Sequence, residues 1–159
     1  MTTDFEHLLR VMHDGEARFI IVGGLAAVVH GSARATYDVD VVYARDPLNL
    51  GRLVAALSPL APYLRGAPPG LPFRFDVETL ERGLNFTLST TLGDLDLLGE
   101  IAGGGTYDSL YAKSVEIRVF GFTCRCLNLD ALIETKRAAG RLRDLEAVAE
   151  LEALRDERR

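Results

Sequence analysis

The sequence has few cysteines, no long apolar run and no excess of basic residues, and each shortage excludes a class of protein. Its two cysteines, Cys124 and Cys126, are too few for a tetrahedral metal site and too close together for a useful disulfide. We expect both to be reduced packing residues. No apolar run approaches the roughly 18 to 20 residues needed to cross a bilayer, and the first residues lack the features of a signal peptide. A cytoplasmic protein with no membrane partner is therefore expected.

The charge and composition limit further the class of protein that the sequence can encode. The formal net charge is -5, which disfavours a protein that holds nucleic acid on a broadly basic surface. At 159 residues, with 48% apolar and 26% charged residues, the chain has ordinary globular composition. We therefore predict one folded domain over residues 1–159.

The two best-known glycine-rich phosphate motifs are also missing. The chain has neither the G-x-G-x-x-G of dinucleotide-binding folds nor the G-K-[ST] of P-loops. Instead, the short apolar strand FIIV runs into Gly23 and Gly24, and the small apolar residues 25–30 that follow indicate a buried helix. Two glycines at this position let backbone amides approach a phosphate without an intervening side chain.

Aspartates inside two apolar strands are the most informative feature. In TYDVDVVY, alternation places Asp38 and Asp40 on one face of the predicted strand. In GDLDLLGE, Asp94 and Asp96 also share a face. If the two strands are neighbours in a sheet, then Asp38, Asp40 and one of Asp94 or Asp96 converge at one place.

Such a cluster needs protons or cations. Two like charges about 5 Å apart repel by roughly 3 kcal/mol at an effective dielectric of 20. Carboxylate oxygens suit Mg²⁺, which prefers a few carboxylates together with phosphate oxygens. Two such ions about 3.5 to 4 Å apart can stabilise the attacking and leaving oxygens of a phosphoryl transfer. The acids therefore indicate a site for Mg²⁺, with two ions expected.

The remaining patterns predict an α+β fold. A helix over residues 4–13 is expected to begin at a capping box of Thr3 and Glu6, and Asn128 is expected to cap a helix that ends at Gly140. Five of the six prolines lie between Pro59 and Pro72, so this stretch is predicted to be a long surface loop without regular structure. We predict a small mixed sheet of about five strands, backed by helices on one face, with the terminal helices packed alongside. Further helices are expected over 25–30, 48–57 and from 142 to 151, and further strands over 19–22, 35–44, 84–90, 94–99, 115–121 and 122–127.

These motifs together resemble the DNA polymerase β-type nucleotidyltransferase superfamily. The signature there is a glycine pair after a strand, an hDhDh strand and a third acid on a later strand, which correspond to VGG (22–24), YDVDV (37–41) and LDL (95–97). The longer runs VGGLAAVVHGSARATYDVDVV, GLNFTLSTTLGDLDLLGE and ETKRAAGRLRDLEAV resemble the minimal nucleotidyltransferases of the abortive-infection toxin type. The resemblance covers about residues 19–150.

The resemblance implies roles for individual residues. Asp38 and Asp40 would be metal ligands, and Asp96 would be the third ligand and the acid that activates the attacking hydroxyl. Asp96 matches the pattern better than Asp94 because leucines flank it on both sides. Lys136 matches a lysine that contacts the triphosphate in the toxin-type families.

The resemblance also implies a reaction and its partners. The expected substrate is a nucleoside triphosphate, held by Gly23, Gly24, Arg34 and Lys136, and the expected acceptor is a hydroxyl of a protein, a transfer RNA or a small molecule. An antitoxin partner and a homodimer are both compatible with this. Many relatives have Gly-Ser in place of Gly23-Gly24, so backbone amides would have a larger share in holding the phosphates here.

Other interpretations remain open from the sequence alone. An inactive nucleotidyltransferase fold that acts as a regulatory partner in a toxin-antitoxin pair is the main alternative. A haloacid dehalogenase-type phosphatase fits less well, because its D-x-D motif belongs on a first strand. Arg34 could equally be a surface residue, Lys136 could belong to a solvated basic face, and His30 is expected to be a packing residue.

Overall fold

A seven-stranded mixed sheet with helices packed against it forms the centre of the protein. A computed structural model describes residues 2–103 and 105–158. The helices are α1 (Phe5–Asp14), α2 (Gly23–Val29), α3 (Pro47–Leu57), α4 (Val77–Arg82), α5 (Tyr107–Tyr111), α6 (Leu129–Ala139) and α7 (Leu142–Glu157). The strands are β1 (Phe19–Ile21), β2 (Asp38–Tyr43), β3 (Tyr63–Leu64), β4 (Asn85–Thr90), β5 (Gly93–Leu98), β6 (Glu100–Ile101), β7 (Gly105–Thr106), β8 (Ser114–Val119) and β9 (Phe122–Leu127).

The sheet order is β3-β4-β5-β2-β1-β9-β8, and β6 and β7 form a separate two-stranded ribbon. Strands β2 and β5 are parallel, as are β1 and β9, whereas the other neighbours are antiparallel. The predicted α+β fold with a mixed sheet and C-terminal helices is confirmed, and within it β4-β5 and β8-β9 form hairpins. The sheet has seven strands rather than about five, partly because the short β3 extends one edge.

Both faces of the sheet are covered by packed side chains. The main core cluster contains the inward residues of the central strands, such as Val39 and Val41 of β2 and Leu95 and Leu97 of β5. A smaller cluster on the other face joins Val42 to residues of α5, including Leu110. The prediction that helices back one face therefore holds for the main core, and α5 adds cover on the second face.

The start of α1 differs from the prediction. Asp4 caps this helix and accepts a hydrogen bond from the His7 amide. The capping box of Thr3 and Glu6 is therefore wrong. The Thr3 hydroxyl instead donates to the Tyr37 carbonyl at 2.5 Å and accepts from the Asp94 amide at 3.1 Å. Thr3 thus joins the beginnings of β2 and β5.

The proline-rich stretch also departs from the prediction of a loop without regular structure. Residues Ser58–Leu60 form a 3-10 turn, and β3 pairs antiparallel with β4 at the edge of the sheet. Only two residues take part, which fits a segment in which prolines remove donors on either side. This short strand determines where the next residue, Arg65, is placed.

As predicted, the protein interior contains Cys124, Cys126 and His30. Cys124 and Cys126 are free and buried, and burial raises the pKa of each thiol to about 12. His30 is buried and its Nε2 lies 2.6 Å from the Leu127 carbonyl oxygen. The prediction that Asn128 caps α6 and that Gly140 ends it is confirmed.

Across residues 2–103 and 105–158, no helix combines the length and the apolar composition that crossing a membrane requires.

A buried amide ties the end of the sheet to α3, and its loss is expected to be costly. Asn49 is fully buried; its side chain donates to the carbonyls of Arg18 and Ala44 at 3.0 and 2.7 Å and accepts from the Arg18 amide at 2.6 Å. We predict that Asn49→Ala lowers the free energy of unfolding by roughly 3 kcal/mol, because three backbone groups lose a hydrogen bond to the buried Asn49 side chain. Urea unfolding measures this loss.

Leu48→Ala is the matched control. Leu48 precedes Asn49 in α3 but is 64% exposed. Its truncation is expected to change the free energy of unfolding by no more than about 0.5 kcal/mol. Equal losses in the two variants would contradict the role given to the Asn49 amide.

Candidate functional site

The acids converge because β2 and β5 are parallel neighbours in matched register. Asp38 lies opposite Asp94, and Asp40 lies opposite Asp96. Since alternate residues share a face, all four side chains project from the same side of the sheet. Asp38, Asp40 and Asp96 each offer a carboxylate oxygen, and these three oxygens lie within 4.8 Å of one another.

Asp40 is the most strongly perturbed of the three. Burial, followed by the charges of Asp38 and Asp96, raises the pKa of Asp40 to about 8. Its Oδ1 is buried and has no hydrogen-bond partner within the part of the chain that the structure describes. Burial and the nearby Asp96 also raise the pKa of Asp38 above its ordinary value, although Arg65 opposes this. The cluster therefore carries a charge that the surrounding protein only partly relieves.

The predicted glycine turn lies directly against the acids. Gly23 begins α2 in the left-handed region, with a φ of 64°. A Cβ at this position would lie 3.0 Å from both Cβ and Cγ of Asp40 and still closer to its Oδ2. A Cβ on Gly24 would lie 2.9 Å from the Thr36 hydroxyl oxygen. Glycine is therefore required at Gly23 both by conformation and by the approach of the Asp40 carboxylate.

A cleft of about 500 Å³ joins the acids to the C-terminal helices. The three acids and both glycines line it. Four basic residues line the same cleft, namely Arg34, Lys136, Arg141 and Arg143. Negative and positive side chains thus share one concave site, and a metal-bound polyphosphate would need both.

A buried carboxylate organises part of the basic wall. Asp144 is only 2% exposed, and its carboxylate accepts hydrogen bonds from Arg141 at 2.6 and 3.2 Å while Lys136 Nζ lies 3.7 Å away. Although burial acts in the opposite direction, Arg141 and Lys136 hold the pKa of Asp144 below its ordinary value. Lys136 therefore points toward the cleft from a fixed position. Its contact with phosphate stays a prediction.

Arg34 lies at the cleft beside two acids of α7. Its guanidinium nitrogens lie 3.9 Å from carboxylate oxygens of Glu146 and Glu150. Glu150 also accepts from the Ser32 hydroxyl at 2.5 Å, and this bond contributes most to lowering the pKa of Glu150. Both interpretations of Arg34 remain open, because it lines the cleft and is also part of an ion-pair network on the surface.

Sequence reasoning missed Arg65, which lies in the middle of the acids. Its guanidinium lies 2.8 Å from Asp96 Oδ1, 3.4 Å from Asp94 Oδ1 and 3.7 Å from Asp38 Oδ2. The available signal was modest: Arg65 is the only charged residue between Pro59 and Pro72. A lone charge in an apolar, proline-rich stretch indicates a partner elsewhere in the fold.

The residues present fit a hard divalent cation. The donor set consists entirely of carboxylate oxygens, which Mg²⁺ and Mn²⁺ prefer. The unpartnered Asp40 Oδ1 is a free acceptor within the described residues, and the cleft that the three acids line provides space beside them. Within the described residues, Asp38, Asp40 and Asp96 are the one group of three side chains placed to hold a metal ion.

The fold has a known counterpart. The chain superposes on the crystal structure of "a putative nucleotidyltransferase (TM1012) from Thermotoga maritima" with a TM-score of 0.58. The match covers 92% of this chain and 91% of the other, at 13% sequence identity. The sequence matches no protein-family model and no curated protein. The chain therefore has a nucleotidyltransferase fold, and it carries within that fold three acids that could hold a metal ion.

The fit between Gly23 and Asp40 yields a stability prediction. We expect Gly23→Ala to lower the free energy of unfolding by roughly 2 kcal/mol, because alanine is strained at positive φ and its Cβ displaces the Asp40 carboxylate. Chemical denaturation measures the change.

Gly51→Ala is the control for this substitution. Gly51 lies within α3, and the described residues place no heavy atom within 4 Å of an added Cβ. Alanine there is expected to stabilise the protein by about 0.5 to 1 kcal/mol through helix propensity. A Gly23→Ala protein as stable as the parent would show that the turn tolerates a side chain.

The raised pKa of Asp40 predicts how stability depends on pH. The ordinary pKa is 3.8 and the folded value is about 8, so the folded protein holds this proton more tightly than the unfolded chain. The resulting stabilisation is fully present below about pH 4 and is lost as the pH rises through about 8. We therefore expect the Tm of metal-free protein to fall by several degrees over this range.

Asp40→Asn should remove most of that slope, since its amide does not titrate. Asp130→Asn, at an exposed site on α6, should retain it. Differential scanning calorimetry in a chelator measures the Tm at each pH. Parallel profiles for the parent and Asp40→Asn would contradict the assignment of the slope to Asp40.

Proposed function

We infer that the protein is a Mg²⁺-dependent nucleotidyltransferase that moves a nucleoside monophosphate from a nucleoside triphosphate to a hydroxyl acceptor. The observation that carries this proposal is the convergence of Asp38, Asp40 and Asp96 beside the Gly23 turn. The nucleotidyltransferase fold supports it independently. A structural metal site would not need an open cleft lined by basic side chains.

The proposed reaction forms one bond and breaks one. The acceptor oxygen attacks the α-phosphorus, and the bond from that phosphorus to the oxygen bridging to the β-phosphate breaks, which releases pyrophosphate. Asp96 accepts the proton of the acceptor hydroxyl and passes it to solvent. Asp38 and Asp40, with Asp96, would hold the divalent ions, which supply neutralisation of charge on the phosphate oxygens.

The chain's basic residues would position the triphosphate. Lys136 is held by Asp144, and Arg34 and Arg143 line the same cleft. These side chains line the same cleft as the acids, so a polyphosphate bound there would have both the metal ions and the basic side chains within the cleft. Gly23 and Gly24 would allow close approach of the phosphates to the backbone.

A second candidate follows from Arg65. Its guanidinium donates a hydrogen bond to the carboxylate of the proposed general base, Asp96, at 2.8 Å. A catalytically weak or inactive nucleotidyltransferase fold, acting as a regulatory partner in a toxin-antitoxin pair, would have such an internally neutralised site. The toxin-type resemblance, an antitoxin partner, a homodimer and a single domain over residues 1–159 remain predictions.

Transfer of label from an α-phosphate-labelled nucleotide tests the proposed function. Each of the four nucleoside triphosphates is supplied with Mg²⁺ and with three acceptor pools: protein, transfer RNA and small hydroxylated compounds. We expect Asp40→Asn to lower transfer by about a hundredfold or more, because the charge stabilisation supplied by a metal is worth several kcal/mol.

The exposed Asp130→Asn variant is again the control and should transfer label at the parental rate. Transfer that needs no divalent ion, or that survives Asp40→Asn, would refute the proposed mechanism. Nucleotide binding without transfer to any pool would favour the regulatory candidate.

A further inference from the structure

The backbone places Arg65 independently of the acids. The Arg65 amide donates to the Thr87 carbonyl at 3.0 Å, which continues the pairing of β3 with β4. The following loop folds back on itself, since the Tyr63 hydroxyl donates to the Pro68 carbonyl and accepts from the Leu71 amide. Arg65 therefore reaches the acids from an anchored position at the edge of the sheet.

The contacts of the guanidinium are mostly with carboxylates. One nitrogen donates both to Asp96 Oδ1 and to the Leu88 carbonyl oxygen, each at 2.8 Å. The other two nitrogens lie within ion-pair distance of Asp94 and Asp38. The side chain is 26% exposed, so these interactions are only partly screened by water. The guanidinium therefore has three carboxylate partners and one carbonyl partner.

The same carboxylates are shared between Arg65 and the candidate metal site. Asp38 and Asp96 belong to the group of three acids that could hold a metal ion, and both are ion-paired with Arg65. A cation entering the cluster meets a fixed positive charge within a few ångströms, and its carboxylate ligands are already engaged. Binding of a metal ion therefore opposes the ion pairs that Arg65 makes with Asp38 and Asp96, and these ion pairs oppose binding of the metal.

We propose that Arg65 is a positioning residue that acts as an internal counter-charge: it holds Asp96 and Asp38 in place before metal binds, and it weakens the binding of divalent ions to the acid cluster. This inference rests on the proposed function, because it concerns the same cluster. Arg65 thereby regulates metal binding. The acid cluster keeps its geometry without metal, and it binds divalent ions only at higher ion concentrations.

Two substitutions at Arg65 separate charge from structure. Arg65→Gln keeps an amide donor for the Leu88 carbonyl but removes the charge, whereas Arg65→Lys keeps the charge. Arg82→Gln is the control, because Arg82 pairs only with Glu78 on the exposed α4 among the described residues. Circular dichroism confirms that each variant is folded.

Isothermal titration calorimetry with Mn²⁺ alone, in the absence of nucleotide, measures the affinity directly. We expect Arg65→Gln to bind Mn²⁺ about tenfold more tightly than the parent, and Arg65→Lys and Arg82→Gln to bind it like the parent. The Tm of Arg65→Gln should fall without metal, where three acids lose their counter-charge, and should rise further than the parental Tm when Mn²⁺ is added.

The outcomes distinguish this inference from the proposed function. Equal Mn²⁺ affinity in the parent and Arg65→Gln, or weaker binding by Arg65→Gln, overturns the competition while the metal site itself stands. Binding by Arg65→Gln but not by the parent supports the inference and favours the regulatory candidate over the enzyme. If no variant binds Mn²⁺, both the inference and the metal-dependent function are refuted.

Discussion

Repulsion among like charges on two neighbouring parallel strands is the constraint on which the site depends. Pairing β2 with β5 in register brings four aspartates to one face, and each close pair costs roughly 3 kcal/mol at an effective dielectric of 20. The protein offsets this cost with a proton, since the pKa of Asp40 is raised to about 8, and with the guanidinium of Arg65. The alternation of acid and apolar residues in both strands makes a register shift by one residue unfavourable, because that shift would bury the acids in the main core.

The basic residues of the cleft are positioned in a different way from the acids. There a single buried carboxylate, Asp144, fixes the positions of Arg141 and Lys136 at the junction of α6 and α7. A buried acid with two cationic partners is costly to disrupt, because removing either partner leaves an uncompensated charge. The ion pairs of Asp144 therefore stabilise the junction between the last two helices. The acids and the basic residues of the cleft thus each have a counter-charge of their own, Arg65 for the acids and Asp144 for Arg141 and Lys136.

Much of this arrangement could be predicted from the sequence because it depends on local patterns. Alternation identified the acid strands, the glycine pair identified the turn before α2, and Asn128 identified the start of α6. The structure brings together Asp38, Asp40 and Asp96 as expected, and Asp94 lies outside this group of three. Arg65 itself could not be found, because its position depends on β3, a two-residue strand whose pairing with β4 links distant parts of the chain. Thr3 was misassigned for a related reason: its capping pattern is local, but its hydroxyl bonds to Tyr37 and Asp94 instead.

The hydroxyl bridge made by Thr3 also bears on how the protein is assembled during synthesis. Thr3 and Asp94 are 91 positions apart, so the bridge cannot form until most of the chain has left the ribosome. Before that point Asp38 and Asp40 are surrounded by water, where their repulsion is weak. The repulsion among the aspartates therefore becomes strong only late, when β5 pairs with β2. At that stage the apolar faces of both strands can bury their side chains, and this burial offsets the repulsion.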